Sequence, residues 1–204
     1  DIFQRGAFLV RVHAAHAGPS WLRSEVAPPR IVRLPTATLQ ECLAKNALWK
    51  HVDVTTGKTT SAHPPRWAVS ATESRGDWPG VRQLKAVVQA PALRCDGTIL
   101  VRPGYDSASG LLFEPNLDYL SIPEHPTKEA AAGAAAELLN VFRDFPFASP
   151  VHRTRVVAAV VGAFARFAYE GSTPMVVVEA TTAGTGKNLL LDCISEIQVG
   201  RRMA

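Results

Sequence analysis

The chain has 204 residues, of which 47% are hydrophobic, enough for one or two domains with a sizeable core. The formal net charge of +4 permits contact with nucleic acid, although dispersed arginines on an ordinary surface are the favoured explanation. The cysteines Cys42, Cys95 and Cys193 form no C-x-x-C motif, which argues against a disulfide framework and favours a cytoplasmic location. The apolar run 156–168 is too short to span a bilayer, so no membrane partner is expected.

Short strands, tight turns and one or two helices are predicted for residues 1–123, which indicates an accessory domain of mixed α+β class. The predicted strands cover residues 6–12, 30–34, 84–89, 98–101 and 111–113. Thr36 or Thr38 is expected to cap a helix that runs to about Leu48. A second helix is expected to open at Pro64-Pro65 and to end before Gly76.

Two dipeptides predict β-hairpins in this region. Thr56-Gly57 separates the extended segments 49–54 and 58–61. Asp96-Gly97 lies between the predicted strands 84–89 and 98–101. A further turn is expected at residues 103–106.

The composition changes near Pro123–Pro126, where we place a domain boundary. Thr127 is expected to cap an alanine-rich helix from Lys128 to about Asp144. Ser149 and Pro150 suit the start of a second helix, 151–170, which Gly171 would end. Residues 124–171 are therefore predicted to form a helical hairpin.

The end of the chain carries the most specific chemical signal. The apolar run Met175 to Val178 predicts a buried strand, and a glycine-containing turn follows from Thr181 to Gly186. Lys187 then leads into an apolar-periodic helix. A strand, a glycine turn, a lysine and a helix in this order form the phosphate-binding loop of P-loop nucleotidases, so residues 172–204 are predicted to begin an α/β nucleotide-binding core.

Each residue of this turn has an expected role. Gly184 and Gly186 let the backbone approach an anion in left-handed conformations. Lys187 is the expected catalytic residue, because its ammonium group would reach the β- and γ-phosphates. The remaining expected nucleotide-binding residues, which mainly offer backbone N–H groups at the start of a helix, are Ala183, Thr185, Asn188 and Leu189.

The turn departs from the pattern G-x-x-x-x-G-K-[ST] at two positions. Thr181 stands at the first glycine position, and Asn188 replaces the residue whose hydroxyl binds Mg²⁺. An amide oxygen is still a suitable ligand, so Asn188 is a weak candidate for Mg²⁺. The alternative is an ordinary turn with a lysine that faces solvent.

Four other groups of residues are weaker candidates. His13 and His16 have the spacing of metal ligands but a loop-like context. Tyr105 and Asp106 resemble an acid/base pair, although a turn in which Asp106 accepts backbone donors is favoured. An aromatic and cationic surface for nucleic-acid bases, or a packed cluster, is indicated by Trp67, Arg75, Trp78 and Arg82. Arg201 and Arg202 are either phosphate contacts or solvated.

Three segments, 75–115, 144–168 and 180–197, resemble the helicase region of plasmid- and phage-type primase-helicases, which are superfamily 3 or AAA+-like DNA helicases of mobile elements. The most specific parts are the run PALRCDGTIL…PGYDSASGL and the turn GTGK. The resemblance implies an ATP- and Mg²⁺-dependent hydrolase that binds DNA and acts as a homo-hexamer. It matches Gly184, Gly186, Lys187 and Asn188 to the phosphate loop.

The chain ends before the acidic metal-binding strand that such an enzyme needs, so we expect a fragment that does not turn over ATP by itself. Two alternatives remain open. Residues 1–123 could be a non-catalytic module that binds DNA or a partner protein of replication. The loop could instead belong to a P-loop kinase or another small-molecule nucleotidase.

Overall fold

The computed structural model describes residues 1–13, 28–123, 125–182 and 184–202. The chain divides into two compact units, Asp1–Val87 and Val88–Ala204. The class is mixed α+β, as predicted, with five helices and several small sheets in the described ranges. The predicted domains 1–123, 124–171 and 172–204 are not tested by this division and stay predictions.

A three-stranded antiparallel sheet in the order β1-β2-β3 opens the first unit. β1 (Ile2–Arg5) and β2 (Phe8–His13) form a hairpin, and β3 (Arg30–Arg33) pairs with the other edge of β2. The predicted strands at 6–12 and 30–34 are confirmed. β1 was not predicted, because four residues are too few for a hydrophobic period to be recognised.

Two helices and a second hairpin complete this unit. α1 (Thr36–Asn46) and α2 (Arg66–Glu73) confirm the predicted helices. The N-cap residue of α1 is Pro35, so the predicted cap at Thr36 or Thr38 is wrong. The Thr36 hydroxyl is used elsewhere, because it donates to Glu73 Oε2 on α2 at 3.1 Å. β4 (Lys50–Val52) and β5 (Thr59–Ser61) pair antiparallel and confirm the first predicted hairpin.

The core of the first unit lies where α1 and α2 meet the end of the sheet. It is formed by the buried side chains of Leu9, Leu34, Leu39, Val69 and Trp78. Burying a side chain of this size stabilises a fold by roughly 1.5–3 kcal/mol.

Gln4 on β1 is a buried polar residue that ties this sheet to residues 77–84. Its side-chain Oε1 accepts the Trp78 backbone N–H at 3.0 Å, and its Nε2 donates to Asp77 Oδ1 at 3.3 Å. The Gln4 backbone also bonds to Arg82 O at 2.8 Å and to Leu84 N at 2.7 Å. The Gln4 side chain therefore provides a hydrogen-bond acceptor for the buried backbone N–H of Trp78.

Five short strands follow, of which the first includes the unit boundary at residues 87–88 and the other four belong to the second unit. They are β6 (Ala86–Val88), β7 (Ala92–Leu93), β8 (Ile99–Leu100), β9 (Gly104–Asp106) and β10 (Leu111–Phe113). β6, β10 and β9 form one sheet in that order, and β7 pairs with β8. The predicted strands at 98–101 and 111–113 are confirmed.

Two details of this region were predicted wrongly. The Asp96-Gly97 turn joins β8 to β7 and not to the strand at 84–89, which lies beside β10 instead. Residues 104–106 were expected to be a turn but form β9, because they pair in register with residues 111–113. Backbone pairing with a neighbour has overridden the local Pro-Gly signal.

Three helices follow in the second unit: α3 (Lys128–Val141), α4 (Pro150–Phe164) and α5 (Lys187–Val199). The Thr127 cap is confirmed, since its hydroxyl oxygen accepts the Ala130 N–H at 3.1 Å. α4 ends before the predicted residue 170, because residues 165–168 continue in tight turns with i→i−3 bonds such as Ala168 N to Ala165 O at 2.9 Å. A second core is formed by Phe142, Val156, Val160, Leu190 and Ile194.

The predicted buried strand Met175–Val178 is absent from the structure. Residues 173–180 have no regular secondary structure, and Met175 and Val177 are 85% and 63% exposed. A buried strand needs hydrogen-bonded neighbours on its edges, and no strand of the described residues lies beside this run. Only Val178 packs against the second core.

Arg94 and Asp106 join the two hairpins of the second unit. Arg94 Nε and Nη2 donate to the two oxygens of the Asp106 carboxylate, each at 3.1 Å. The same carboxylate accepts the Ser109 N–H at 3.0 Å and the Ser109 hydroxyl. The hydrogen bond from the Ser109 hydroxyl, followed by those from Arg94, lowers the pKa of Asp106 below its usual value. The structural role expected for Asp106 is confirmed.

Replacing Gln4 with leucine is expected to lower the free energy of unfolding by ~1–3 kcal/mol, because the Trp78 N–H would be buried without a partner. The measurement is urea denaturation followed by tryptophan fluorescence. The matched control is Gln40→Leu, which makes the same change at an exposed position of α1. Equal stability of the two variants would contradict the role assigned to Gln4.

Replacing Asp106 with asparagine is expected to cost ~1–3 kcal/mol of stability at neutral pH, because hydrogen bonds to a charged carboxylate are lost. The folded pKa lies below the unfolded value, so the stabilisation is present above the unfolded pKa and is lost as pH falls through the folded pKa. Urea denaturation from neutral to acidic pH should therefore show a smaller acid dependence in the variant. The control is Asp144→Asn, which breaks an exposed ion pair with Arg143 and should change the free energy of unfolding by less than ~1 kcal/mol. If this control lost as much stability as Asp106→Asn, the role assigned to the Asp106 carboxylate would be refuted.

Candidate functional site

The predicted phosphate loop lies at the N-terminus of α5. Gly184 and Gly186 have φ angles of 78° and 84°, which are left-handed conformations that side-chain-bearing residues rarely adopt. Ala183, a predicted member of the site, lies outside the described residues. The two glycines thus have the backbone conformation that the sequence predicted for them.

The first turn of α5 has no side-chain cap. Gly186 is its N-cap residue, and the first backbone bond of the helix runs from Leu190 N to Gly186 O at 2.9 Å. The N–H groups of Lys187, Asn188 and Leu189 therefore precede the first helical bond. The missing side-chain cap is shared with α1, α2 and α4, whereas among the described helices only α5 has an N-cap residue in the left-handed conformation. The start of α5 combines unused donors with the positive end of the helix dipole, which favours an anion.

The Lys187 side chain folds back over the turn. Its Nζ lies 3.5 Å from the carbonyl oxygen of Thr182, and the Thr185 hydroxyl donates to the same oxygen at 3.3 Å. Lys187 is half-buried as a residue, and its contact with Thr182 is exposed to solvent. The ammonium group therefore lies beside the backbone of residue 182, within the glycine-containing turn.

The Phe145 ring lies next to Gly186 of the loop. A Cβ placed on Gly186 would lie 3.9 Å from Cε1 of Phe145, which belongs to the second core. Phe145 lies in the link between α3 and α4 and contacts Phe142 and Phe147 with ring centroids 6.2 Å apart in each pair. Neither Phe145 nor the Thr182 carbonyl belongs to a phosphate-loop pattern, so the sequence alone does not predict that either lies beside the loop.

Asn188 and Leu189 are the outermost predicted site residues. Both are exposed on the first turn of α5. Asn188 offers one amide oxygen for a magnesium ion, and the described residues contain no group of three or more His, Cys, Asp or Glu that could hold a metal. One protein oxygen fits Mg²⁺ only where phosphate oxygens and water complete its octahedral shell.

Arg201 and Arg202 are not brought to the loop. They follow the C-terminus of α5, whereas Lys187 is at its N-terminus, and 13 helical residues span about 20 Å. Neither arginine contributes to the candidate phosphate site.

The other weak candidates have structural or surface roles. Trp78 is buried, with its Nε1 donating to Thr72 O at 2.8 Å, and the Arg82 guanidinium stacks on Phe3 at 4.8 Å and pairs with Asp1 at 2.8 Å. The predicted surface for nucleic-acid bases is therefore not formed by these residues, although Trp67 is 73% exposed. His13 ends β2, and its predicted partner His16 lies outside the described residues.

No helix in the described parts of the chain is long and apolar enough to cross a bilayer. Comparisons with protein-family models, with curated proteins and with solved structures found no match for this chain. The resemblance to primase-helicases therefore stays a prediction.

Proposed function

We propose that residues 184–189 bind the phosphate groups of ATP with Mg²⁺, as the nucleotide loop of an ATP-dependent DNA helicase. The observation that supports this most is the pair of left-handed glycines, Gly184 and Gly186, directly before the first turn of α5, with the Lys187 Nζ 3.5 Å from the Thr182 carbonyl oxygen of the same turn. Backbone N–H groups, a helix dipole and one cation converge there, and each favours a polyphosphate.

In this proposal, Lys187 neutralises charge that develops on the transferred phosphoryl group. Asn188 supplies one oxygen to the magnesium ion, and Gly184 and Gly186 allow the backbone to approach the phosphates. The start of an α/β nucleotide core, the homo-hexamer and the DNA partner belong to the same proposal. These three parts of the proposal depend on the resemblance of the sequence to primase-helicases and not on contacts within the chain.

The runner-up function is a non-catalytic DNA-binding module in the N-terminal part. One observation favours it: residues 50–61 form an exposed hairpin with two lysines. The two functions are compatible, because they use different residues.

Replacing Lys187 with alanine is expected to abolish detectable binding of a fluorescent ATP analogue in the presence of Mg²⁺. The reason is that Lys187 supplies the one positively charged side chain of the proposed site, residues 184–189. Fluorescence anisotropy of the analogue measures the affinity. The matched control is Lys128→Ala, since Lys128 is also the first residue of a helix but lies behind a threonine cap. Unchanged affinity in Lys187→Ala would rule out the phosphate loop.

Replacing Gly186 with alanine is expected to weaken nucleotide binding without unfolding the protein. The nearest atom to the new Cβ is 3.9 Å away, so the cost is the left-handed backbone, about 1–2 kcal/mol, and not a steric clash. Binding and thermal unfolding would be measured together. The control Gly133→Ala, in the interior of α3 with open space around it, should stabilise by up to ~1 kcal/mol and leave binding unchanged. Full affinity in a folded Gly186→Ala variant would contradict the role of the turn.

A further inference from the structure

The β4–β5 hairpin is a ribbon whose two faces are both exposed. Every residue from 50 to 61 is exposed, and Val54 in its turn is 98% exposed. Its base is anchored to α1, because Trp49 Nε1 donates to Leu43 O at 2.9 Å and Ala62 N donates to Trp49 O at 2.9 Å. A two-stranded ribbon without packing on either face is marginally stable in water.

The register of the ribbon places positive charge on both of its faces. Lys50 pairs with Ser61 and Val52 with Thr59, so these side chains share one face. His51 pairs with Thr60, and Lys58 bonds through its backbone to Asp53, so these residues share the opposite face. Each face therefore has one lysine and at least one hydroxyl group.

The single carboxylate of the ribbon is used within its own turn. Asp53 Oδ1 accepts the N–H groups of Thr55 at 2.8 Å and Thr56 at 3.0 Å. These two backbone bonds lower the pKa of Asp53, so it stays ionised as a turn cap. Neither lysine side chain of the ribbon has a protein partner among the described residues, which leaves both lysines available to an external anion.

We propose that the β4–β5 ribbon docks into a groove of duplex DNA, with Lys50 and Lys58 contacting the phosphates of the two opposite walls. A two-stranded ribbon fits the major groove, which is about 12 Å wide. Phosphate backbones line both sides of that groove, and the ribbon has a cation on each side. Threonine and serine hydroxyls are suitable donors to phosphate oxygens.

An acidic protein surface fits the ribbon less well. Such a surface presents charge on one side, whereas the cations of this ribbon point to opposite sides. The exposed Val54 at the tip suits an apolar contact with bases at the floor of the groove. This inference rests on the proposed DNA partner but not on the nucleotide loop, so either can fail alone.

The test is fluorescence anisotropy of a labelled 20-base-pair duplex with the 204-residue chain, without nucleotide, at several salt concentrations. Lys50→Gln/Lys58→Gln is expected to reduce the slope of log affinity against log salt by about 1.8, because each phosphate contact contributes ~0.9. Thr59→Glu/Thr60→Glu, which adds a carboxylate to each face, is expected to reduce affinity by at least about tenfold. Circular dichroism verifies that both variants are folded.

The charge-matched control is Lys85→Gln/Lys128→Gln, which removes two exposed lysines outside the ribbon. This variant should keep most of the salt slope. Equal losses in the ribbon variant and the control would show a net-charge effect and would overturn the proposal. The proposal would also be overturned if the chain did not bind the duplex at low salt. It would be overturned as well if the chain bound a single-stranded oligonucleotide or polyglutamate as tightly as it bound the duplex.

Discussion

The apolar face of α5 fixes the position of the candidate phosphate loop. Leu190 and Ile194 are buried against Phe142 and Val160, and burying side chains of this size contributes roughly 1.5–3 kcal/mol each. At the other end of the helix, the Leu117 side chain lies so close to Gly200 that a Cβ at this position would clash with it. Because the helix is held along its length, the N–H groups of its first turn have a fixed direction, and an anion would meet donors that are already aligned.

The residues that follow the loop are packed, whereas the residues that precede it are exposed. On the helix side it rests on α5 and Phe145, whereas the preceding run from Met175 to Val177 is exposed and unpaired within the described chain. Ordering an extended residue costs roughly 1–2 kcal/mol. A phosphate bound between Lys187 and the backbone before it would have to offset that cost for any of these residues that it ordered.

Local signals in the sequence predicted part of the local structure, although the cap expected at Thr36 or Thr38 and the turn expected at 103–106 were wrong. The cap at Thr127, the helix after Lys187 and the left-handed glycines each depend on a few adjacent residues, and all three were found. Predictions that needed a distant partner were less successful. The Asp96-Gly97 turn was recognised, but its strand was paired wrongly, because turn chemistry does not specify which strand returns. The run 175–178 has β-branched residues but no strand beside it, and propensity alone does not form a sheet.

The loop and the ribbon would recognise phosphate by different physics. Lys187 would act together with neutral backbone donors and a helix dipole, so salt would screen only part of the attraction at that site. Lys50 and Lys58 are exposed, and their attraction to a phosphate would come largely from the release of counterions, which falls steeply with salt. A chain with both sites would thus hold a nucleotide over a wide range of ionic strength and bind DNA over a narrow one. Salt dependence consequently separates the two interactions even when both ligands are present.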